Sequence, residues 1–260
     1  MAEVLIFIFG LTIGSFLNVV ICRLATGEEI VKSRSHCPHC GHVLSWLDLI
    51  PLLSFILLRR RCRYCQKAIS LQYPLVEIIT GALFVLAYKF VEPNSLFIFQ
   101  LALNWYIAAS LVVVFVYDLR HYVIPDKVLW PAIGAAFLLA ISKSWLLTGG
   151  LAGFYPYLFS AFGAAAFFLS LVLITRGRGM GIGDIKLAFL MGLLLGWPGI
   201  FMALFLAFFI GAAAGVLLML LGKKTMKSQI PFGPFLVFGT MGVYFAGERF
   251  FDWLYFLLGF

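Results

Sequence analysis

The sequence predicts an all-α polytopic membrane protein with about eight transmembrane helices. Two observations predict it. First, 63% of the 260 residues are apolar and only 12% are charged, with a mean hydropathy of +1.05, outside the range of a water-soluble domain. Second, apolar runs of roughly 17 to 25 residues recur along the chain, long enough to cross a hydrocarbon core of about 30 Å.

The opening stretch, Met1 to Ile21, has no basic n-region and no small-residue cleavage site, so it is expected to remain as a helix near residues 3 to 22. Gly10, Gly14 and Asn18 recur at four-residue spacing along it, a pattern for close helix packing with an interhelical hydrogen bond. Cys22, at its end, reads as a small packing residue. A polar loop follows over residues 23–72. Within it Val43 to Leu58 is almost uncharged apart from Asp48 and contains Pro51 and Ser54; it is too short to span comfortably and is expected to be re-entrant or interfacial. The remaining helices are expected near residues 73 to 89, 96 to 117, 127 to 142, 155 to 175, 184 to 197, 199 to 221 and 232 to 258, which makes 73–260 the main bundle.

The placement of basic residues orients these helices. With the N-terminus outside, every Lys and Arg of the 19 falls in an inward-facing loop except Lys89, Lys143 and Arg249, so the positive-inside rule favours an N-out, C-out topology. The net charge of +8 is thereby assigned to orientation and to contact with anionic lipid headgroups, with no nucleic-acid partner.

Four of the five cysteines form Cys37-Pro-His-Cys40 and, after 21 residues, Cys62-Arg-Tyr-Cys65. Two CxxC turns brought together close a tetrahedral site that suits Zn²⁺, and a reducing cytoplasm fits a metal better than disulfides. Arg59, Arg60, Arg61 and Arg63 favour ionised thiols. His36, His39 and His42 are rival ligands. A closed four-ligand site leaves no position for water, so the metal is expected to staple the loop and take no part in chemistry. A membrane crossing between the turns would separate the two halves of the cluster.

Acidic side chains at membrane depth are costly and each needs an account. Glu3, Glu92, Glu248 and Asp252 are expected near the outer surface, and Glu28 and Glu29 in the polar loop. Asp118 falls at the inner, C-terminal end of the third helix, where the helix dipole disfavours negative charge. Asp184 follows Gly181 and Gly183 and opens the sixth helix, where backbone N–H groups favour it. Asp126, after Pro125, reads as a helix cap. Glu77 is either exposed at the interface or turned inward. Lys186 lies about 200° around the helix from Asp184 and reads as an inner-face anchor. The topology puts Asp118 and Asp184 at the same membrane boundary, where a carboxylate pair sharing a proton can activate water and protonate a leaving nitrogen. On the helix-end argument, Asp184 orients the water and Asp118 carries the shared proton.

At these residues the sequence resembles the type IV prepilin peptidases, a bacterial branch of the GxGD intramembrane aspartyl proteases. The resemblance covers nearly the whole chain: GlySerPheLeuAsn at 14–18 with Arg23 after it, the CxxC pair, IleSerLeuGlnTyrProLeuValGlu at 69–77, Asp118 through IleProAsp at 126, and GlyMetGlyIleGlyAspIleLys at 179–186. It implies that Asp118 and Asp184 are the catalytic pair, that Asp126 supports its turn, and that the chain cleaves the short basic leader of prepilins and pseudopilins after a glycine. It implies a place in the bacterial inner membrane, with the site at its cytoplasmic face. It also implies N-methylation of the new N-terminus with S-adenosylmethionine, associated with the 23–72 loop, where the family's glycine two residues before the third zinc cysteine is replaced by Arg60. Three other readings compete: a peptidase without methyl transfer, a proton-coupled transporter and a non-enzymatic zinc scaffold. A transporter's acids are expected near the bilayer midplane.

Overall fold

A computed structural model describes residues 1–29, 34–177, 180–222, 225 and 228–246. The expectations for Lys32, Arg178, Gly179, Lys223, Lys224, Lys227, Glu248, Arg249, Asp252 and the last helix beyond residue 246 lie outside them. The named elements among the described residues are all helices, and the chain divides into two compact units, Met1–Glu92 and Pro93–Phe260.

In the first unit, α1 (Ala2–Thr26) leads into a loop holding a 3-10 turn at Trp46–Leu49 and the short helix α2 (Leu53–Leu57), and the chain then enters α3 (Gln72–Phe90). Helices α1 and α3 pack together because glycines remove the side chains between them. A Cβ on Gly10 would lie 2.6 Å from the Cα of Gly81, and one on Gly14 2.6 Å from the Cα of Glu77. Asn18 then donates from Nδ2 to the Tyr73 carbonyl (3.1 Å) and accepts from Gln72 Nε2 (3.2 Å), the interhelical bonding expected of that face. Cys22 Sγ sits 3.7 Å from the Tyr73 hydroxyl. At the other end of the seam Lys89 pairs with Glu3 at 3.2 Å.

The second unit comprises α4 (Phe97–His121), α5 (Asp126–Thr148), α6 (Tyr155–Ile174), α7 (Ile182–Leu195), α8 (Gly199–Leu220) and α9 (Gly233–Ala246). Its core gathers Leu111, Val114, Leu129, Leu139, Phe168, Leu187, Leu190 and Leu236 from five of these helices. Gly192 lets α7 lie directly on the backbone of α6 at Ala161, and Gly239 lets α9 meet the Ala203 carbonyl of α8. Helix α8 instead turns Phe201, Phe205 and Phe209 outward, a surface suited to lipid.

Among the described residues six helices are long and apolar enough to cross a bilayer: α1, α3, α4, α5, the Ala152–Ile174 stretch that contains α6, and α8. Helix α7, with 14 residues, reaches about 21 Å at 1.5 Å per residue, shorter than a hydrocarbon core. It is enclosed by protein instead, packing on α5, α6 and α9.

Candidate active site and metal centre

The second unit brings two buried carboxylates together. Asp118 lies in the last turn of α4, 5% exposed, just before Tyr122 ends the helix in the left-handed region (φ 57°) with its N–H on the Asp118 carbonyl. Asp184 lies in the first turn of α7, 8% exposed, and its Oδ2 accepts the Gly181 N–H at 3.1 Å. The charge of Asp118 acts on Asp184. Helices α4 and α7 each pack on both α5 and α9, so the placement of the two carboxylates is relayed by those two helices.

Helix α9 supplies a partner that sequence reasoning missed. The Gly233 N–H, at the start of α9, donates to the Asp118 carboxylate. A Cβ on Gly233 would lie 2.5 Å from Asp118 Oδ2, so only glycine admits this approach. The signal available in the sequence was a glycine between two prolines, Pro231-Phe232-Gly233-Pro234, at the head of an apolar helix. This contact also corrects the helix-end argument. Asp118 faces the N-terminus of α9 as well as ending α4, so both carboxylates meet helix N-termini and the dipoles no longer separate a base from an acid.

Asp126 and Lys186 also differ from expectation. Asp126 makes no side-chain cap, the N-cap being Pro125; both of its oxygens take the Lys186 ammonium at 2.8 Å. Lys186 therefore reaches across to α5. Glu77 turns inward: it is 6% exposed, accepts the Leu52 N–H at 2.9 Å and is hydrogen-bonded to Ser15, tying the apolar loop segment to α3.

The loop of the first unit is built on two matching turns. Cys37 donates its N–H to the His42 carbonyl and Gly41 donates back to Cys37; Cys62 donates to Lys67 and Gln66 back to Cys62, at 2.9 to 3.0 Å. The sulfurs of Cys37, Cys40, Cys62 and Cys65 lie within 4.8 Å of one another, with Cys37 and Cys65 at 3.9 Å, and all are free thiols. Tetrahedral thiolates about 2.3 Å from a metal stand about 3.8 Å apart, so the four cysteines are positioned to bind one, and no histidine nitrogen joins the cluster among the described residues. The bonding within the cluster makes the same point. Burial works against ionisation of Cys37, but hydrogen bonds from the His39 and Cys40 backbone and from neighbouring thiols bring it down to about 7. At Cys65 the Lys67 N–H favours the thiolate, yet burial and the other three thiols push it up to about 11. Four sulfurs this close cannot all be negative without a cation among them.

The joined turns also exclude a membrane crossing by Val43 to Leu58. That segment is a 3-10 turn and a short helix whose Trp46, Ile56 and Leu57 are exposed, as an interfacial element requires. Asp48 within it is tied to the second cysteine turn by Arg63 at 2.8 Å. Arg60 has a φ of 63°, in the left-handed region that glycine enters freely.

Residues 8–91 match the Bacterial Peptidase A24 N-terminal domain, and residues 105–216 match the Type IV leader peptidase family. Among the curated relatives is a prepilin leader peptidase/N-methyltransferase of Aeromonas hydrophila, 35% identical over 89% of this chain and 86% of that protein. One of Bacillus subtilis (strain 168) is 35% identical over 94% of each, and one of Myxococcus xanthus (strain DK1622) is 35% identical over 87% of this chain and 67% of that protein. No solved structure matches the chain.

Proposed function

Because the chain belongs to the type IV leader peptidase family, we propose that it is a membrane aspartyl endopeptidase that removes the leader of prepilins or pseudopilins after a glycine, with Asp118 and Asp184 as its catalytic dyad. The observation that carries this is the burial of two carboxylates, from α4 and α7, on helices that both pack on α5 and α9, each carboxylate closely approached by a glycine. A carboxylate pair holding one proton deprotonates a water with one group while the other protonates the scissile carbonyl oxygen. The proton then passes to the leaving nitrogen as the tetrahedral intermediate collapses. Because the pair titrates as a unit, neither member is assigned a fixed role. The Gly181 and Gly233 N–H groups hold one carboxylate each, so the dyad is aimed before substrate arrives.

The finer reading is of eight crossings, counting α7 and α9, with the N- and C-termini outside and the dyad and cysteine loop at the cytoplasmic face of the bacterial inner membrane. The metal is Zn²⁺, held by Cys37, Cys40, Cys62 and Cys65, and its work is to fix the loop. N-methylation of the new N-terminus belongs to the loop region 23–72, and residues 73–260 carry the peptidase. S-adenosylmethionine, when bound, supplies an electrophilic methyl group. Its cationic groups suit two acceptors on the α1–α3 seam, the Glu77 carboxylate and Gln72 Oε1, the latter buried with no hydrogen-bond partner among the described residues.

Incubating the purified protein with a prepilin and weighing the products tests this reading. A chain shortened at the glycine is expected, heavier by one methyl group when S-adenosylmethionine is present; an intact prepilin would refute the peptidase.

A further inference from the structure

We propose that the ion pair between Asp126 and Lys186 is a latch that sets the separation of the two dyad carboxylates, which makes Asp126 and Lys186 positioning residues for cleavage. The proposal rests on the dyad reading above.

Asp118 and Asp184 stand on helices held mainly through intermediaries, and α5 is one of the two. The chain from Asp118 to α5 is short. After Asp118 come the left-handed turn at Tyr122, then Ile124, Pro125 and the first residue of α5, Asp126. This strap touches the start of α7 twice. A Cβ on Gly183 would lie 3.0 Å from the Ile124 Cβ, so the residue before Asp184 is pressed against the residue two before Asp126. Lys186, two residues beyond Asp184, places its ammonium 2.8 Å from both Asp126 oxygens. The same ammonium stands 5.8 Å from the centre of the Trp130 ring, one turn along α5. Lys186 thus enters a socket made by a carboxylate and an aromatic face of one helix. Asp184 is bracketed by the two contacts, and Asp118 is joined to their far side by only a few residues.

The geometry separates this role from ordinary stabilisation. The Asp126 side chain is 55% exposed and that of Lys186 26%, and ion pairs so open to solvent add little to stability. Displacing reacting groups by about 1 Å can nonetheless lower a rate by about 100-fold. Loss of the latch is therefore expected to lower turnover without unfolding the protein.

The test compares Asp126→Asn, Lys186→Met and the exchanged pair Asp126→Lys with Lys186→Asp, each as the full-length protein in detergent, with a prepilin peptide as substrate. Each single variant is expected to lose about 10- to 100-fold in kcat, with KM, the shape of the pH profile and the melting temperature close to those of the unaltered protein, and the exchanged pair is expected to recover most of the loss. Single variants at full activity would overturn the latch. So would a loss confined to Lys186→Met, which would mean that the lysine acts without Asp126, and so would a shifted pH profile, which would mean that its charge acts on the dyad itself. Amide hydrogen exchange over residues 118–126, measured on the same samples, is expected to rise in both single variants and fall back in the exchanged pair; unchanged exchange would overturn the latch whatever the activity. An unaltered protein that fails to cleave would instead refute the peptidase reading, and the exchange measurement would still decide the latch.

Discussion

The loop of the first unit and the bundle of the second hold their functional groups in opposite ways. Across residues 34–70 the only residues buried as a whole are Cys37 and Cys62, joined by the enclosed carboxylate of Asp48, so the loop has almost no apolar core and its order depends on what joins four sulfurs. In the bundle, Asp118 and Asp184 are embedded among packed apolar helices, and their place depends on the fit of α5 and α9 around them. A short polar segment can be fixed by one multivalent ligand, as small metal-dependent folds are, whereas a carboxylate pair needs a scaffold already rigid without it.

That contrast can be broken most sharply by removing the metal. Chelation is expected to raise amide hydrogen exchange throughout residues 34–70 and to leave residues 97–177 as protected as before; equal loss in both regions would mean that the bundle also depends on the metal. Next in size is Gly233→Ala. Its methyl group would meet Asp118 Oδ2 at 2.5 Å and force that carboxylate aside, so cleavage is expected to fall by about 100-fold, with the cysteine cluster still holding its metal. Undiminished kcat in this variant would show that the approach of α9 does not aim the dyad.

Two smaller effects sharpen the account of the loop. At Asp48, burial opposes ionisation, but the Ser45 hydroxyl and N–H and the Arg63 guanidinium outweigh it and hold the carboxyl below its usual range. A depressed carboxylate stabilises the folded loop fully above its unfolded value of about 3.9 and loses that contribution as pH falls through the folded value. Asp48→Asn is thus expected to loosen the loop at neutral pH and to make no difference in strong acid, as read by hydrogen exchange at the two pH values. The smallest change is Arg60→Gly. It relieves a left-handed residue of about 1 kcal/mol of strain, partly offset by a freer unfolded chain, so metal affinity is expected to stay level or rise slightly; a marked fall would show that the Arg60 side chain has a role of its own.

How far the sequence could be read followed the distance over which each feature is decided. The cysteine turns were legible because CxxC is a local geometry and the metal chemistry follows from the thiols. The packing of α1 was legible because Gly10, Gly14 and Asn18 share one face. The topology expected from the basic loops put Asp118 and Asp184 at one boundary but could not supply what surrounds them. Gly233 lies far along the chain from Asp118, and Lys186 is 60 residues from Asp126, so neither partner is marked by any local pattern. The inward turn of Glu77 likewise depended on Leu52, 25 residues away. The short α7 shows the same limit from the other side. Its apolar run announced a helix, but its 14 residues are fewer than a lipid-exposed crossing needs, because neighbouring helices enclose it.

The central claim is that Asp118 and Asp184 act as one catalytic pair. Single-turnover cleavage of a prepilin by Asp118→Asn, by Asp184→Asn and by the double variant tests it most directly. Each single variant is expected to lose about 1,000-fold or more, and the double variant is expected to be no worse than either, because one half of a shared-proton pair has no use without the other. Substantial cleavage by either single variant, or losses that multiply in the double, would contradict it.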